Sequence, residues 1–193
     1  MAVLVACEYS GVVRDAFRKQ GHMAMSCDLR KADSGEEWHY RGDIRDALKL
    51  ISWDMIIAFP PCDHLASVGA RHWPEKQADG RQAEAVEFVK MIADADCPRI
   101  AIENPIGALT KHWRHPDQTI HPYMFGDPWK KRTCLWLKGV PRLKPTRIVK
   151  PKGHWVQQGP ARAGLVTGRR GAKIRARTFA GVAKAMAEQW GQE

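Results

Sequence analysis

Between Asp54 and Cys62 the chain reads Asp-Met-Ile-Ile-Ala-Phe-Pro-Pro-Cys, and this stretch restricts the fold more than any other. Met55 to Phe59 is an unbroken apolar run of strand length,. Pro60 and Pro61 end it, because neither can donate a ladder hydrogen bond. Cys62 is then held on a stiff turn where a parallel strand would finish, the edge at which open α/β sheets bind ligands. A thiol fixed there is a candidate nucleophile. The competing reading is a small buried hydrophobe, the commonest fate of a free cysteine.

The preceding residues repeat the pattern. Ala2 to Cys7 is a continuous apolar run, as expected of a strand covered on both faces. Glu8-Tyr9-Ser10-Gly11 turns out of it, with Ser10 placed to cap a helix marked by Val12, Val13, Ala16 and Phe17 and stopped by Gly21. A second strand, His22 to Cys27, ends in Asp28. Strand, turn, helix, strand and acid in that order make a mononucleotide-binding half, the acid holding ribose hydroxyls; alternatively Asp28 is a turn residue. Lys31 to Tyr40 reads as polar loop. Asp43, in Gly42-Asp43-Ile44, is either a helix cap or an acceptor for an adenine amino group.

After Cys62, residues 63–81 show no clear period and are expected to form a functional loop. Ala83, Val86, Val89, Met91 and Ile92 mark a helix, and Arg99 to Ile102 a buried strand running into Glu103-Asn104-Pro105. With a helix between them, the two strands should be neighbours, bringing Cys62 and Glu103 to matching tips. A surface ion pair is the plainer role for Glu103. His121 to Pro128 reads as loop, Arg132 to Leu137 as a strand, and Phe179 to Trp190 as a closing amphipathic helix. The fold expected is α/β, a doubly wound, mostly parallel, Rossmann-like sheet.

With 193 residues, one domain spanning 1–193 is the default,. Five scattered cysteines without a CxxC pair are neither a disulfide framework nor a zinc signature, and suit a reducing compartment,. Cys62, His64 and His72 lack a fourth metal ligand at sensible spacing. No apolar stretch approaches the ~20 residues of a membrane span, and the apolar N-terminus, lacking a basic leader, reads as a strand. The net charge of +10 is concentrated: 16 Lys and Arg but no Asp or Glu lie between Trp129 and Ala187, leaving 15 basic against all 21 acidic residues elsewhere. That asymmetry points to a polyanion partner.

These motifs, taken together, resemble the DNA (cytosine-5) methyltransferases. Tyr9-Ser10-Gly11-Val12 resembles that family's first motif, Asp28 its ribose acid, and Gly42-Asp43-Ile44 the motif whose Asp meets adenine. Phe59-Pro60-Pro61-Cys62 is similar to the nucleophile motif F-P-C, Glu103-Asn104-Pro105 to E-N-V, and Phe125-Gly126-Asp127-Pro128 with Lys131 and Arg132 to F-G-x-P-Q-x-R-x-R. Val13 and Arg14 stand where the first motif has glycines, one proline is extra, and the Gln and second Arg are unmatched. Only residues 139–176, a basic Gly- and Pro-rich insert, occupy the place of a target-recognition domain.

The resemblance implies an S-adenosyl-methionine-dependent enzyme. Glu8, Tyr9, Ser10, Gly11, Asp28, Asp43, Phe59 and Pro60 would hold the cofactor. Cytosine C5 is too weak a nucleophile to take a methyl group unaided, whereas thiolate addition at C6 makes it an enamine carbon. Cys62 would add, its thiol pKa lowered by Arg132, and Glu103 would share a proton with N3. Lys130, Lys131, Arg169, Arg170, Lys173 and Arg175 would grip DNA phosphates around a flipped-out or single-stranded cytosine, with Trp129, Trp136 and Trp155 available for stacking or, for Trp136, the core. A monomer in the cytoplasm of a bacterial or phage-infected cell, shielding a mobile genome from restriction, is the setting implied. The alternatives are C5 chemistry on a nucleotide or RNA, and an inactive DNA-binding relative.

Overall fold

A computed structural model describes residues 1–155 and 177–192. In chain order the elements are β1 (Ala2–Ala6), α1 (Val12–Lys19), β2 (Met23–Asp28), β3 (His39–Arg41), α2 (Ile44–Ala47), β4 (Met55–Ala58), α3 (Trp73–Ala78), α4 (Arg81–Ala93), β5 (Ile100–Pro105), α5 (Ala108–His112), β6 (Gln118–Ile120), β7 (Thr133–Lys138) and α6 (Ala180–Trp190). The strands form one sheet in the order β3-β2-β1-β4-β5-β7-β6. Pairing is parallel from β3 to β5, and β7 runs antiparallel to both its neighbours.

Side chains on successive strand residues point to opposite faces, so two-residue periodicity sorts the core into two layers. Leu4, Ala6, Ile56, Ala58, Ile100 and Ile102 face one way, toward α2 (Ile44, Ala47), α4 (Val86, Val89, Ile92) and α5 (Leu109). Val3, Val5, Met55, Ile57 and Ala101 face the other, toward α1 (Val13, Phe17) and α6 (Val182, Met186, Trp190). Helices on both faces explain why β1 and β4 are apolar at every position. The doubly wound, mostly parallel α/β sheet is therefore as expected.

The chain winds outward from β1 to β3, then returns to place β4 on the other side of β1. The strand order reverses there, so a crevice opens outside the carboxyl ends of β1 and β4. The Cys7–Gly11 turn and the Phe59–Cys62 turn border it. Because β7 is antiparallel, its amino end, with Lys130 to Arg132, reaches the same edge.

Four local expectations change. Lys31 to Tyr40 is not all loop, since β3 begins at His39 after a single helical turn at Glu36–Trp38. Residues 63–81 contain a 3₁₀ segment, Ser67–His72, and α3, started by Pro74,. The short strand β6 was not anticipated. The first part of the 139–176 insert belongs to the body: Leu143 is 2% exposed, its backbone bonded by the Gln118 amide at 2.7 and 2.8 Å. Lys144 is bonded likewise by Gln189, and the Trp190 indole donates to Pro141 O at 2.8 Å. Arg169, Arg170, Lys173 and Arg175 lie outside the described residues. Among the described residues no helix is long and apolar enough to cross a membrane.

Gly107 fits for reasons of space. A Cβ there would lie 1.9 Å from Leu65 O. Gly107→Ala is expected to destabilise the fold by about 1–3 kcal/mol, the usual range for overpacking, read as a lower urea midpoint with an unchanged slope.

Candidate functional site

The β1–α1 turn is built on two buried charges. Glu8, 5% exposed, accepts from the Val13 backbone at 2.9 Å, the Arg14 backbone at 3.3 Å and the Ser10 hydroxyl at 2.9 Å. Its carboxylate thus satisfies the open N–H groups of α1 and favours the positive end of the helix dipole. Burial still pushes its pKa up, against those hydrogen bonds. Glu8 was expected to hold a cofactor; its hydrogen bonds here serve the turn. Gly11 has φ 74°, a left-handed conformation suited to glycine,.

Arg14, fully buried, occupies the position of a motif glycine. Its guanidinium donates to Ser26 Oγ at 3.0 Å, Gly35 O at 3.1 Å, Ser34 O at 2.8 Å and Asp15 at 2.8 Å. It holds the 33–35 segment over the turn, where Asp33 N also donates to Tyr9 O at 2.8 Å. Arg177, just before α6, pairs with Asp33. Tyr9 is buried, with the Arg30 guanidinium 5.1 Å from its ring centre.

Asp28 and Asp43 border this turn from β2 and from the start of α2. Asp28 Oδ1 accepts from Arg30 N at 2.8 Å. Asp43 caps α2, Oδ1 accepting from Arg45 N at 2.8 Å and Oδ2 from the Arg45 guanidinium at 2.9 Å. The capping role read from the sequence is therefore filled. Both acids act on Cys7, whose thiol is pushed up to about 12 by burial first and by Asp28, Cys27 and Asp43 in addition. Cys7 has φ 57°, rare for a side chain of this kind,. Asp28 keeps Oδ2 clear of protein donors among the described residues, which suits a ligand diol.

At the neighbouring tip, Phe59 N donates to Ala6 O at 2.9 Å, after which the prolines leave the strand without donors. The turn is tied to β5 instead. Asn104, completely buried, donates from Nδ2 to Pro60 O at 2.9 Å. Two backbone bonds follow, Ser67 N to Ile106 O at 3.0 Å and Ala108 N to Leu65 O at 2.8 Å. Cys62 O accepts from Leu65 N and Ala66 N at 3.0 and 2.9 Å, closing the turn. Cys62 and Glu103 thereby sit at adjacent strand ends, as the sequence indicated, and their charges interact.

The electrostatics differ from expectation. Burial pushes the Cys62 thiol up, Glu103 and Asp63 push the same way, and Lys131 opposes them. Arg132, expected to lower it, is exposed, and its field falls on His121 and Cys134. Lys131, expected on phosphate, turns inward, its Nζ 4.0 Å from Glu103 Oε1. Beside this pair lies a cavity of about 20 Å³ lined by Glu103, Lys131, Thr133, Pro122 and Phe179, room for one water,. Lys130 is exposed.

Asp127 was read only as part of a motif. Its carboxylate accepts from Gly181 N at 3.0 Å and caps α6, and burial pushes its pKa up. Trp136 is core, 1% exposed. Trp129 and Trp155 meet edge to face at 5.1 Å, and Trp155 meets Phe179 at 5.1 Å, bracing one another beside the start of α6.

No family model matches the chain, and no curated protein matches it. Among solved structures it is similar to a protein from E. coli assigned as a DNA modification methyltransferase encoded within a prophage. The TM-score is 0.51 at 14% identity, over 78% of this chain and 52% of the other. The likeness is one of fold. This chain spans about half the length of that protein.

Asn104→Ala leaves Pro60 O buried without its donor, which costs about 1–3 kcal/mol. The expected outcome is a lower denaturant midpoint together with faster alkylation of Cys62, as the turn loosens from β5.

Proposed function

We propose that this protein is a DNA-modifying methyltransferase that transfers a methyl group from S-adenosyl-methionine to C5 of cytosine through a covalent Cys62 adduct. The observation carrying this reading is the pair of strand ends, Cys62 on one and Glu103 on the other, cross-tied beside the switch-point crevice. The fold likeness to a protein assigned to DNA modification supports it.

S-adenosyl-methionine supplies an electrophilic methyl group when bound. Asp28 has a free carboxylate oxygen for the ribose hydroxyls, Asp43 would meet the adenine once Arg45 swings away, and Tyr9, Ser10, Gly11, Phe59 and Pro60 form the crevice walls. Cys62 attacks C6 of the base as a thiolate while Glu103 hydrogen-bonds N3, so that charge drawn into the ring is shared with a proton. Once C5 carries the methyl group, loss of its proton to a base expels the thiolate and restores the ring. Burial and two carboxylates hold the thiol protonated in the resting protein, so the nucleophile forms only when a cation opposes them.

The base must leave the duplex or come from a single strand, since C6 is shielded by stacking. Lys130, and residues 156–176 with Arg169, Arg170, Lys173 and Arg175, supply positive charge for phosphates, which positions DNA without reading sequence. Residues 140–155 are committed to the body of the protein, so little chain remains for a target-recognition domain. That favours low or short-context specificity, with a nucleotide or RNA as the second reading. Protection of a mobile genome would need no more specificity than this.

Purified protein is expected to transfer labelled methyl groups to cytosine in DNA, and Cys62→Ser to reduce transfer to background. Undiminished transfer by that variant would overturn the adduct. A parallel panel of duplex DNA, single-stranded DNA, RNA and dCMP decides between the two readings.

A further inference from the structure

Three consecutive cations precede β7, and they face different ways. Lys130 and Arg132 are exposed, and their fields fall on His121. Lys131 is turned in, its side chain 20% exposed and its ammonium 4.0 Å from the Glu103 carboxylate, itself 16% exposed. It lines the same small cavity as Glu103, Thr133 and Phe179.

The charges facing the Cys62 sulfur come from three elements. Asp63 lies on its own turn, Glu103 on β5, and Lys131 on the approach to β7. Two of the three are acidic. A thiolate beside two carboxylates in a partly buried site is unfavourable unless a cation offsets them. Lys131 is that cation, and the Cys62 backbone N–H adds a smaller contribution in the same direction. Its position is fixed by the ion pair, which distinguishes it from a solvated surface lysine. The start of β7 fixes which of the three cations turns in. Residues 131, 133 and 135 share one face of that strand, and Leu135 pairs with Glu103 across the sheet,.

We propose that Lys131 is the residue that makes Cys62 competent as a nucleophile: held against Glu103 at the cavity wall, its ammonium balances the carboxylates around the sulfur. It is a positioning residue, acting through Cys62 and Glu103. The proposal rests on Cys62 being the nucleophile, but not on the identity of the methyl donor or the acceptor.

The test therefore uses neither. Iodoacetamide alkylation of Cys62 in the intact protein is followed against pH by peptide mass spectrometry, with Cys62→Ser as the blank. Lys131→Met is expected to raise the midpoint of alkylation by about half to one pH unit, slowing the reaction about three- to tenfold below that midpoint. Lys131→Arg, which keeps the charge, is expected to react with nearly the wild-type profile. Lys131→Gln replaces the methionine variant if the latter fails to fold, with the same shift expected. An unchanged midpoint in the uncharged variant overturns the proposal. So does an equal shift in the uncharged and arginine variants, which would report altered packing rather than lost charge. Wild-type protein inactive on every substrate would sink the methyltransferase reading while leaving this shift in place, so the two failures are distinguishable.

Discussion

One hydrogen bond sets the geometry on which the site depends. Pro60 and Pro61 strip the end of β4 of backbone donors, so the sheet cannot continue there, and the turn carrying Cys62 must be held by something else. The Asn104 amide does it, reaching from β5 to Pro60 O. Backbone bonds between residues 65–67 and 106–108 complete the clamp. The clamp matters because its two passengers repel once the thiol ionises. Glu103 and a Cys62 thiolate are like charges, and neither would seek the other out. The chain imposes their proximity through neutral hydrogen bonds, and folding stability bears the electrostatic cost.

The other wall of the crevice solves a related problem by different means. A glycine-rich turn leaves space beside a helix start. Here that space is filled by the Arg14 side chain, whose donors are spent on Ser26, Ser34, Gly35 and Asp15. Glu8 is spent on the first N–H groups of α1. Buried charges are tolerable when their hydrogen-bonding capacity is filled in this way, and costly when one partner is removed. The result is a rigid turn whose polar atoms are mostly occupied, leaving Asp28 as the group with a free oxygen toward the crevice.

Much of this was legible in the chain itself. Unbroken apolar runs identified β1, β4 and β5 because both faces of each are covered. The spacing of Val12, Val13 and Phe17, and of Val182, Met186 and Trp190, identified α1 and α6 because one face of each is. Cys62 and Glu103 could be paired because strand, helix and strand fix their order in the sheet. The edge strands β3 and β6 were not legible, since three polar, half-exposed residues carry no period. Nor was the exchange of Arg132 for Lys131. Side chains alternate along a strand, so misjudging its start by one residue sends the wrong cation inward. Arg132 shares a face with Cys134 and Trp136, and Lys131 shares one with Thr133 and Leu135. Only the observed register distinguishes them.

The helix α6 supplies Val182, Ala183, Ala185, Met186, Ala187 and Trp190 to the core layer that contains Val13 and Phe17 of α1. The two helices are joined in space but lie at opposite ends of the sequence. During synthesis, an apolar side of the nascent sheet and of α1 therefore stays open to water until residue 190 has left the ribosome. Such a chain is most exposed to aggregation in the last moments of its own translation, and holding that surface until then is work suited to a chaperone.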